Sequence, residues 1–256
     1  MTDTAWRQWA ARLSWVIVAT FLIGSVLVLV LSFTVPMREF PPDATFVDHI
    51  LGSFEDQQAR WIPDLGSSLL FAVGFAAIAA LGATLRHVLG SGDPRSMLAT
   101  VAFLAAGGVG ITSQLIYVGG TEIATNPQYC DCGFLAEEII SRGMIRDVIN
   151  GIVGWMIDGF SVLFAVGLLA IAAVASASGT MPAGWVAFTR LIAIAGLASV
   201  VWNRVGTPLL VQAGFEDVNY GLFGGLVIFV IAGVLVPVWA AWLARTLRTS
   251  SVEAST

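Results

Sequence analysis

The composition of this chain is that of a membrane protein. It has 256 residues, of which 57% are hydrophobic and 11% are charged, and its mean hydropathy is +0.85. Soluble domains carry about 25% charged residues. The net charge is -5, arginine supplies all of the Lys+Arg count, and no basic stripe is present, so no nucleic-acid partner is predicted.

Apolar runs of spanning length recur along the chain. A helix needs about 20 apolar residues to cross a bilayer. The runs predict an all-α, polytopic integral membrane protein: one domain over residues 1–256, a bundle of six transmembrane helices with an interfacial helix before the fourth span. Pro237 is expected to kink the sixth. The predicted spans are 14–35, 65–85, 97–118, 152–174, 185–205 and 221–244.

Arginine placement predicts the orientation. Three outer loops are predicted at 37–64, 119–147 and 206–220, where proline, glycine and acidic residues collect. Short arginine-rich loops stay cytoplasmic. We therefore expect a plasma (inner) membrane protein with both termini cytoplasmic. The arginines on the cytoplasmic side are Arg7, Arg12, Arg86, Arg95, Arg245 and Arg248.

Asp158 is the acid that falls inside a predicted span. A carboxylate in hydrocarbon is costly enough to be a functional-site candidate by default. Its expected partner is Arg204, and Asn150, Asn203 and Gln114 complete a predicted intramembrane polar cluster. Such a cluster indicates either an ion or solute site or hydrogen bonds that hold helices together. Sliding the fourth span slightly would instead place Asp158 at the outer interface.

The segment before the fourth span predicts an amphipathic helix at the membrane surface. Apolar residues recur at helical spacing over residues 134–149. The charged face is expected to carry Glu137, Glu138, Arg142 and Arg146. The opposite face, toward lipid or the bundle, is expected to carry Leu135, Ile139, Ile145, Val148 and Ile149.

Cys130 and Cys132 are the only cysteines, and both lie in the second predicted outer loop. Thiols in an exported loop are expected to be oxidised. A disulfide between residues two apart closes a tight, reducible ring, and a bond between subunits is the alternative. Two thiolates are half of a metal ligand set, and no histidine is near in sequence, so we predict no metal site.

The motifs of common membrane and soluble enzymes are missing from the sequence. The histidines are His49 and His87, so a haem held by two histidines within the bundle is excluded. A retinal Schiff base needs a lysine. No HExxH, GxSxG, Walker loop or CxxCH is present. We predict no cofactor, and the sequence leans against an enzyme without deciding the question.

The run Ala136 to Gly143, AEEIISRG, resembles the EExxxR motif of the intramembrane CAAX-processing and bacteriocin-processing proteases. In that family the glutamates and arginine, here Glu137, Glu138 and Arg142, work with two later histidine motifs. This chain has no histidine after His87, and Leu168 stands where the FxxxH motif has histidine. The resemblance implies a degenerate relative. The alternative interpretation is that Glu138 and Arg142 form an i,i+4 pair on a solvated helix with no relation to the proteases.

Three function classes follow from these patterns. The favoured one is a non-enzymatic scaffold, an accessory or regulatory subunit of a membrane complex, because the polar residues collect in outer loops. Its partners would be the lipid bilayer and other membrane subunits or further copies of the chain. The second is a small permease or channel that uses the cluster around Asp158 and Arg204. The third is a membrane enzyme, either the degenerate protease relative or a redox protein that uses the loop thiols.

The cysteine pair allows a direct test of topology and redox state. A membrane-impermeant thiol reagent added to intact cells should label Cys130 and Cys132 only after mild reduction, because the outer compartment keeps the pair oxidised. Labelling without reduction would show that the two cysteines do not form a disulfide. Labelling only after the membrane is breached would place the loop in the cytoplasm and reverse the predicted orientation.

Overall fold

The computed structural model describes residues 2–34, 40–41, 43–90, 92–125, 136–213, 227 and 229–253. These residues form helices and turns, with no strand among them. The α-helices are α1 (Asp3–Thr34), α2 (Phe46–Leu89), α3 (Pro94–Thr125), α4 (Ala136–Ser178), α5 (Ala183–Val201), α6 (Thr207–Gln212) and α7 (Val236–Glu253). Two π-helical turns, Trp202–Gly206 and Ile231–Leu235, precede α6 and α7.

Six stretches of these helices are long and apolar enough to cross a membrane. A helix satisfies its own backbone hydrogen bonds, which is what a segment in hydrocarbon requires. The predicted all-helical architecture with six apolar helices of spanning length is confirmed for the described residues. The stretches are Asp3–Val30, Phe46–Leu89, Pro94–Glu122, Ile139–Ser178, Ala183–Leu210 and Ile231–Thr249.

The segment predicted as the first outer loop, 37–64, is helical from Phe46 onward. A capping box begins the helix: the Thr45 hydroxyl accepts from the Asp48 N–H at 3.3 Å, and the Asp48 carboxylate accepts from the Thr45 N–H at 2.8 Å. Pro63 lies inside α2. Ile50 and Phe54 are buried in a cluster with Ile139 of α4. This packing stabilises a helix where the prolines had suggested a loop.

The other predicted loops are also shorter than expected. The segment 119–147 is helical at both ends, because α3 runs to Thr125 and α4 begins at Ala136. The predicted interfacial helix and fourth span form the single 43-residue helix α4. Likewise α6 occupies part of 206–220, and α7 continues beyond residue 244. Residues 126–135 and 214–226 lie outside the described part.

The spanning stretches form a ring. Each of α1 to α4 packs against the next helix in sequence, α5 packs against α7, and α7 packs against α1. The two described chain ends lie at the same end of the bundle, here called the termini end, where Trp6 stacks on His87 at 4.2 Å. The opposite end is called the far end. Since α2 and α4 are each about 65 Å long, they exceed the hydrocarbon core of about 30 Å.

A tight turn joins α2 to α3 at the termini end. Gly90 adopts φ 122, a conformation that favours glycine. Arg95 then donates from its side chain and its backbone N–H to the carboxylate of Asp93, both at 2.8 Å. These hydrogen bonds hold the pKa of Asp93 below its usual value.

Close packing of α3 positions a row of aromatic rings across the bundle. A Cβ at Gly110 would lie 2.5 Å from the ring of Phe75, so glycine leaves the space that this ring fills. The Phe75 centroid is 5.4 Å from that of Phe21 and 4.6 Å from that of Phe160, which stacks on Phe164 at 5.4 Å. The row runs from α1 through α2 to α4.

Both π-helical turns end two residues before a proline. Pro208 follows Trp202–Gly206, and Pro237 follows Ile231–Leu235. Proline has no N–H, and its ring clashes with the carbonyl four residues earlier. In each turn a wider hydrogen bond forms instead, from Thr207 N–H to Trp202 O and from Val236 N–H to Ile231 O. The turns therefore have a local cause in the sequence.

Neighbouring glycines of α3 provide a matched test of this packing. A Cβ at Gly107 would lie 2.6 Å from the backbone oxygen of Phe75, whereas a Cβ at Gly108 meets nothing within 4 Å. Gly107→Ala should lower the free energy of unfolding by about 1–3 kcal/mol because α2 and α3 must separate. Gly108→Ala should leave it unchanged within about 0.5 kcal/mol. Unfolding in detergent by titration with SDS measures both, and equal effects would contradict the packing.

Candidate functional site

A cavity of about 190 Å³ lies inside the ring of helices. Residues from all six spanning stretches line it. Its walls are mainly apolar and include the aromatic row. The lining phenylalanines are Phe21, Phe71, Phe75, Phe160 and Phe164, and the lining polar residues are Gln114, Asp158, Ser161, Ser199 and Asn203.

The α5 and α7 helices contact each other near the termini end, and both line the cavity beyond that contact. The Trp239 Nε1–H donates to the Thr189 hydroxyl at 3.0 Å, and Trp239 stacks on Trp185 at 6.1 Å. Farther along, Ile192 of α5 and Val236 of α7 both line the cavity. Both π-helical turns contribute to the lining, which fits the frequent occurrence of such turns at functional sites.

An ion pair lies at the edge of the cavity. The Arg204 Nε–H donates to Oδ2 of Asp158. Asp158 is 9% exposed, whereas the side chain of Arg204 is 34% exposed. The guanidinium also lies 3.9 Å from the ring centroid of Trp155, a cation–π contact. The guanidinium also lies beside Gly154, where a Cβ would be in ordinary van der Waals contact with Nη2 of Arg204, at 3.6 Å.

The neutral polar groups in the lining are two hydroxyls and two amides. The Ser161 hydroxyl donates to the Ile157 carbonyl at 2.9 Å, and the Ser199 hydroxyl donates to the Gly196 carbonyl at 2.7 Å. Their protons are thus used within the helices, and their lone pairs remain for a ligand. Gln114 makes no side-chain hydrogen bond to another residue in the described ranges.

The structure brings together four of the five residues of the predicted polar cluster. Asp158 is paired with Arg204, while Gln114 and Asn203 line the same cavity. Asn150 is exposed on α4 and does not line it. It precedes Asp158 by eight residues, which is about 12 Å along a helix. Asn150 thus lies apart from the cavity that the others line, and a functional role for the cluster stays a prediction.

The predicted charged helix is the first part of α4. Arg146 is its best-anchored residue: it donates to the Ser53 hydroxyl, lies 5.5 Å from the Phe54 ring and pairs with Asp147 at 3.2 Å. Glu137 is exposed and Arg142 is half-buried. The Glu138 side chain, and with it the predicted Glu138–Arg142 pair, lies outside the described residues, as do Cys130 and Cys132.

The apolar face of this segment is divided between packing and exposure. Ile139 is buried, and Ile149 is half-buried beside Gly120 of α3. Ile145 and Val148 are more than half exposed, at 51% and 62%. Leu135 lies outside the described residues. The exposed side chains face lipid, solvent or a partner.

The described residues contain no group of three or more His, Cys, Asp or Glu side chains that could hold a metal ion. Leu168, at the position of the histidine in the protease motif, is fully buried in the core.

Sequence reasoning missed the aromatic walls and the role of Trp155. Phenylalanines inside an apolar run look like any other spanning residue. The available signal was their spacing, since Phe71 and Phe75, and likewise Phe160 and Phe164, are four residues apart and so share a helix face. Nothing in the sequence around Trp155 indicated its contact with Arg204.

The chain matches no protein-family model, and no curated protein or solved structure matches it.

The ion pair is open to a double-mutant test. Asp158→Asn should lower the free energy of unfolding by about 2 kcal/mol, less than for a fully buried pair because Arg204 is partly exposed. Combining it with Arg204→Gln should restore part of the loss, since neither charge is then left alone. The control is Arg190→Gln on α5, an exposed arginine with no ion-pair partner in the described residues. Additive losses in an SDS titration would contradict the pairing.

Proposed function

We propose that this protein is a multi-pass plasma-membrane protein that binds a small lipophilic molecule in the cavity between its six helices. This is the small-permease class among the functions that the sequence leaves open. The observation that carries it is the cavity itself, which reaches Asp158 and is lined from every spanning stretch. A bundle that served only as a scaffold would gain stability by filling this space.

The size and lining of the cavity support a ligand with one or two rings. An engineered apolar cavity of about 150 Å³ binds benzene, and this one is about 190 Å³. Ligand sites commonly combine apolar walls with a few polar groups that fix orientation. Here Asp158, Gln114 and Asn203 are such groups.

The orientation that we propose places the termini end in the cytoplasm, following the arginine distribution. The polar edge of the cavity then lies toward the outer side, where Arg204 and Trp155 meet. The first parts of α2 and α4 extend outward, with part of α4 at the membrane surface. A ligand would thus reach Asp158 from the outer side or from the outer leaflet.

A second candidate is an accessory subunit, and the exposed face of α4 favours it. Large apolar side chains recur there at intervals of three and four residues, so they form one stripe along the helix. A stripe of this kind suits a neighbouring membrane subunit, a second copy of the chain or lipid. The stripe is Met144, Ile145, Val148, Ile152 and Trp155.

Two residues of one π-helical turn allow a matched test of ligand binding. Ala232 lines the cavity, whereas Val234 is 45% exposed on the outside of the bundle. Binding of the neutral ring compound tert-butylbenzene should raise the unfolding temperature in a saturable way, because it binds the folded state. Ala232→Phe should abolish this shift by filling the cavity, and Val234→Phe should retain it.

The measurement is thermal unfolding in one detergent at several ligand concentrations. A shift that is equal in the two variants would mean that the compound acts through the detergent or the outer surface. That result would remove the cavity as a ligand site and leave the accessory-subunit candidate.

A further inference from the structure

We infer that the cavity selects a small lipophilic cation, an aromatic or alkyl ammonium, whose charged group replaces Arg204 on the Asp158 carboxylate. The inference rests on the proposed function, because it assumes that the cavity is a ligand site. Beyond the proposed function, the inference specifies that the ligand is a cation and that it displaces the Arg204 guanidinium.

The charge of the lining favours a cation. Among the described residues, Asp158 is the one charged side chain that lines the cavity, and Arg204 is not part of the lining. A ligand inside the cavity therefore meets the carboxylate first. The hydroxyls of Ser161 and Ser199 donate to their own helices, so each can offer a ligand only its oxygen, whose partial negative charge suits a cation.

The aromatic walls also favour a cation. Five phenylalanine rings line the cavity, and the negative face of an aromatic ring attracts an ammonium within about 6 Å of its centroid. Quaternary ammonium groups are recognised in this way because they are weakly hydrated and have no N–H to satisfy. The same walls accept the apolar part of the ligand.

Arg204 has the contacts of a removable partner. Its guanidinium stacks on Trp155 at 3.9 Å, and this contact does not depend on Asp158. The side chain is 34% exposed, against 12% for that of Asp158, so the arginine reaches water more readily than the carboxylate does. A ligand cation that takes Asp158 leaves Arg204 stacked and hydrated. The buried carboxylate stays paired in both states, which avoids the cost of an isolated buried charge.

An anionic ligand fits these contacts less well. It would have to reach the guanidinium from the cavity past Asp158, whose carboxylate would repel it. It would also leave that carboxylate buried without a partner, since Arg204 is the cation paired with it in the described structure. We therefore assign the cavity to the cation.

The test uses two ligands of nearly equal shape, phenyltrimethylammonium and tert-butylbenzene, which differ in charge. Both are titrated against the purified full-length protein in detergent, with unfolding temperature and competition between the two as readouts. The wild-type protein should bind the ammonium about tenfold more tightly than the neutral compound. This comparison needs no variant and so does not depend on the folding of one.

Two substitutions then identify the group responsible. Asp158→Asn should reduce the affinity for the ammonium about tenfold and leave that for tert-butylbenzene unchanged. Arg204→Gln should increase the affinity for the ammonium, because it removes the internal competitor. If Asp158→Asn does not fold, Arg204→Gln carries the test alone, because it should bind the ammonium more tightly and tert-butylbenzene with unchanged affinity.

The outcomes separate this inference from the proposed function. Binding of tert-butylbenzene without preference for the ammonium would overturn the cation assignment and leave the ligand cavity in place. Tighter binding of 4-tert-butylbenzoate than of the ammonium, lost in Arg204→Gln, would assign the site to anions instead. Binding of none of the three compounds would overturn both proposals.

Discussion

A chain segment in hydrocarbon must satisfy its backbone hydrogen bonds internally. The helices of this protein do so except where proline removes a donor. At Pro208 and Pro237 the chain forms π-helical turns, in which Thr207 bonds to Trp202 and Val236 to Ile231. Both turns lie on the stretches that bound the cavity on one side. The need to satisfy backbone hydrogen bonds thus accounts both for the helices and for the places where they are irregular. Asn203 and Ala232 lie in these two turns, and both line the cavity.

The ion pair follows from a related constraint on charge. A single carboxylate within an apolar bundle needs a cation, and Arg204 supplies it from the neighbouring helix. The two partners are unequal, because Asp158 is almost buried while Arg204 also contacts Trp155 and is partly exposed. The carboxylate therefore depends on the arginine more than the arginine depends on the carboxylate. That inequality makes the pair suitable for exchange with a ligand, whereas a symmetric buried pair would be only a structural link between helices.

The parts of the structure that the sequence predicted are those governed by hydropathy and charge. Apolar runs predict the spanning helices, and the cost of a lone carboxylate predicts the Asp158–Arg204 pairing. The first part of α2 was expected to be a loop with only a short interfacial segment over residues 46–54, because Pro63 suggested a break, whereas burial of Ile50 and Phe54 against α4 stabilises a continuous helix. Asn150 lies eight residues before Asp158 on the same helix. That spacing turns its side chain about 80° away from that of Asp158 and separates the two residues along the axis, so Asn150 does not reach the cavity. The cavity is a property of helix packing, to which hydropathy is insensitive.

The continuity of α4 limits how the site can move. This helix runs unbroken from Ala136 to Ser178, so Trp155 and Asp158 are carried on one element with the exposed first part that packs on α2. A displacement of that first part would move both side chains together and would not separate them from each other. Arg204, by contrast, lies in a π-helical turn, whose wider hydrogen bonds fix the backbone less firmly than an α-helix does. The proposed opening of the ion pair would therefore be a movement of the turn and its arginine relative to Trp155 and Asp158, which α4 holds together.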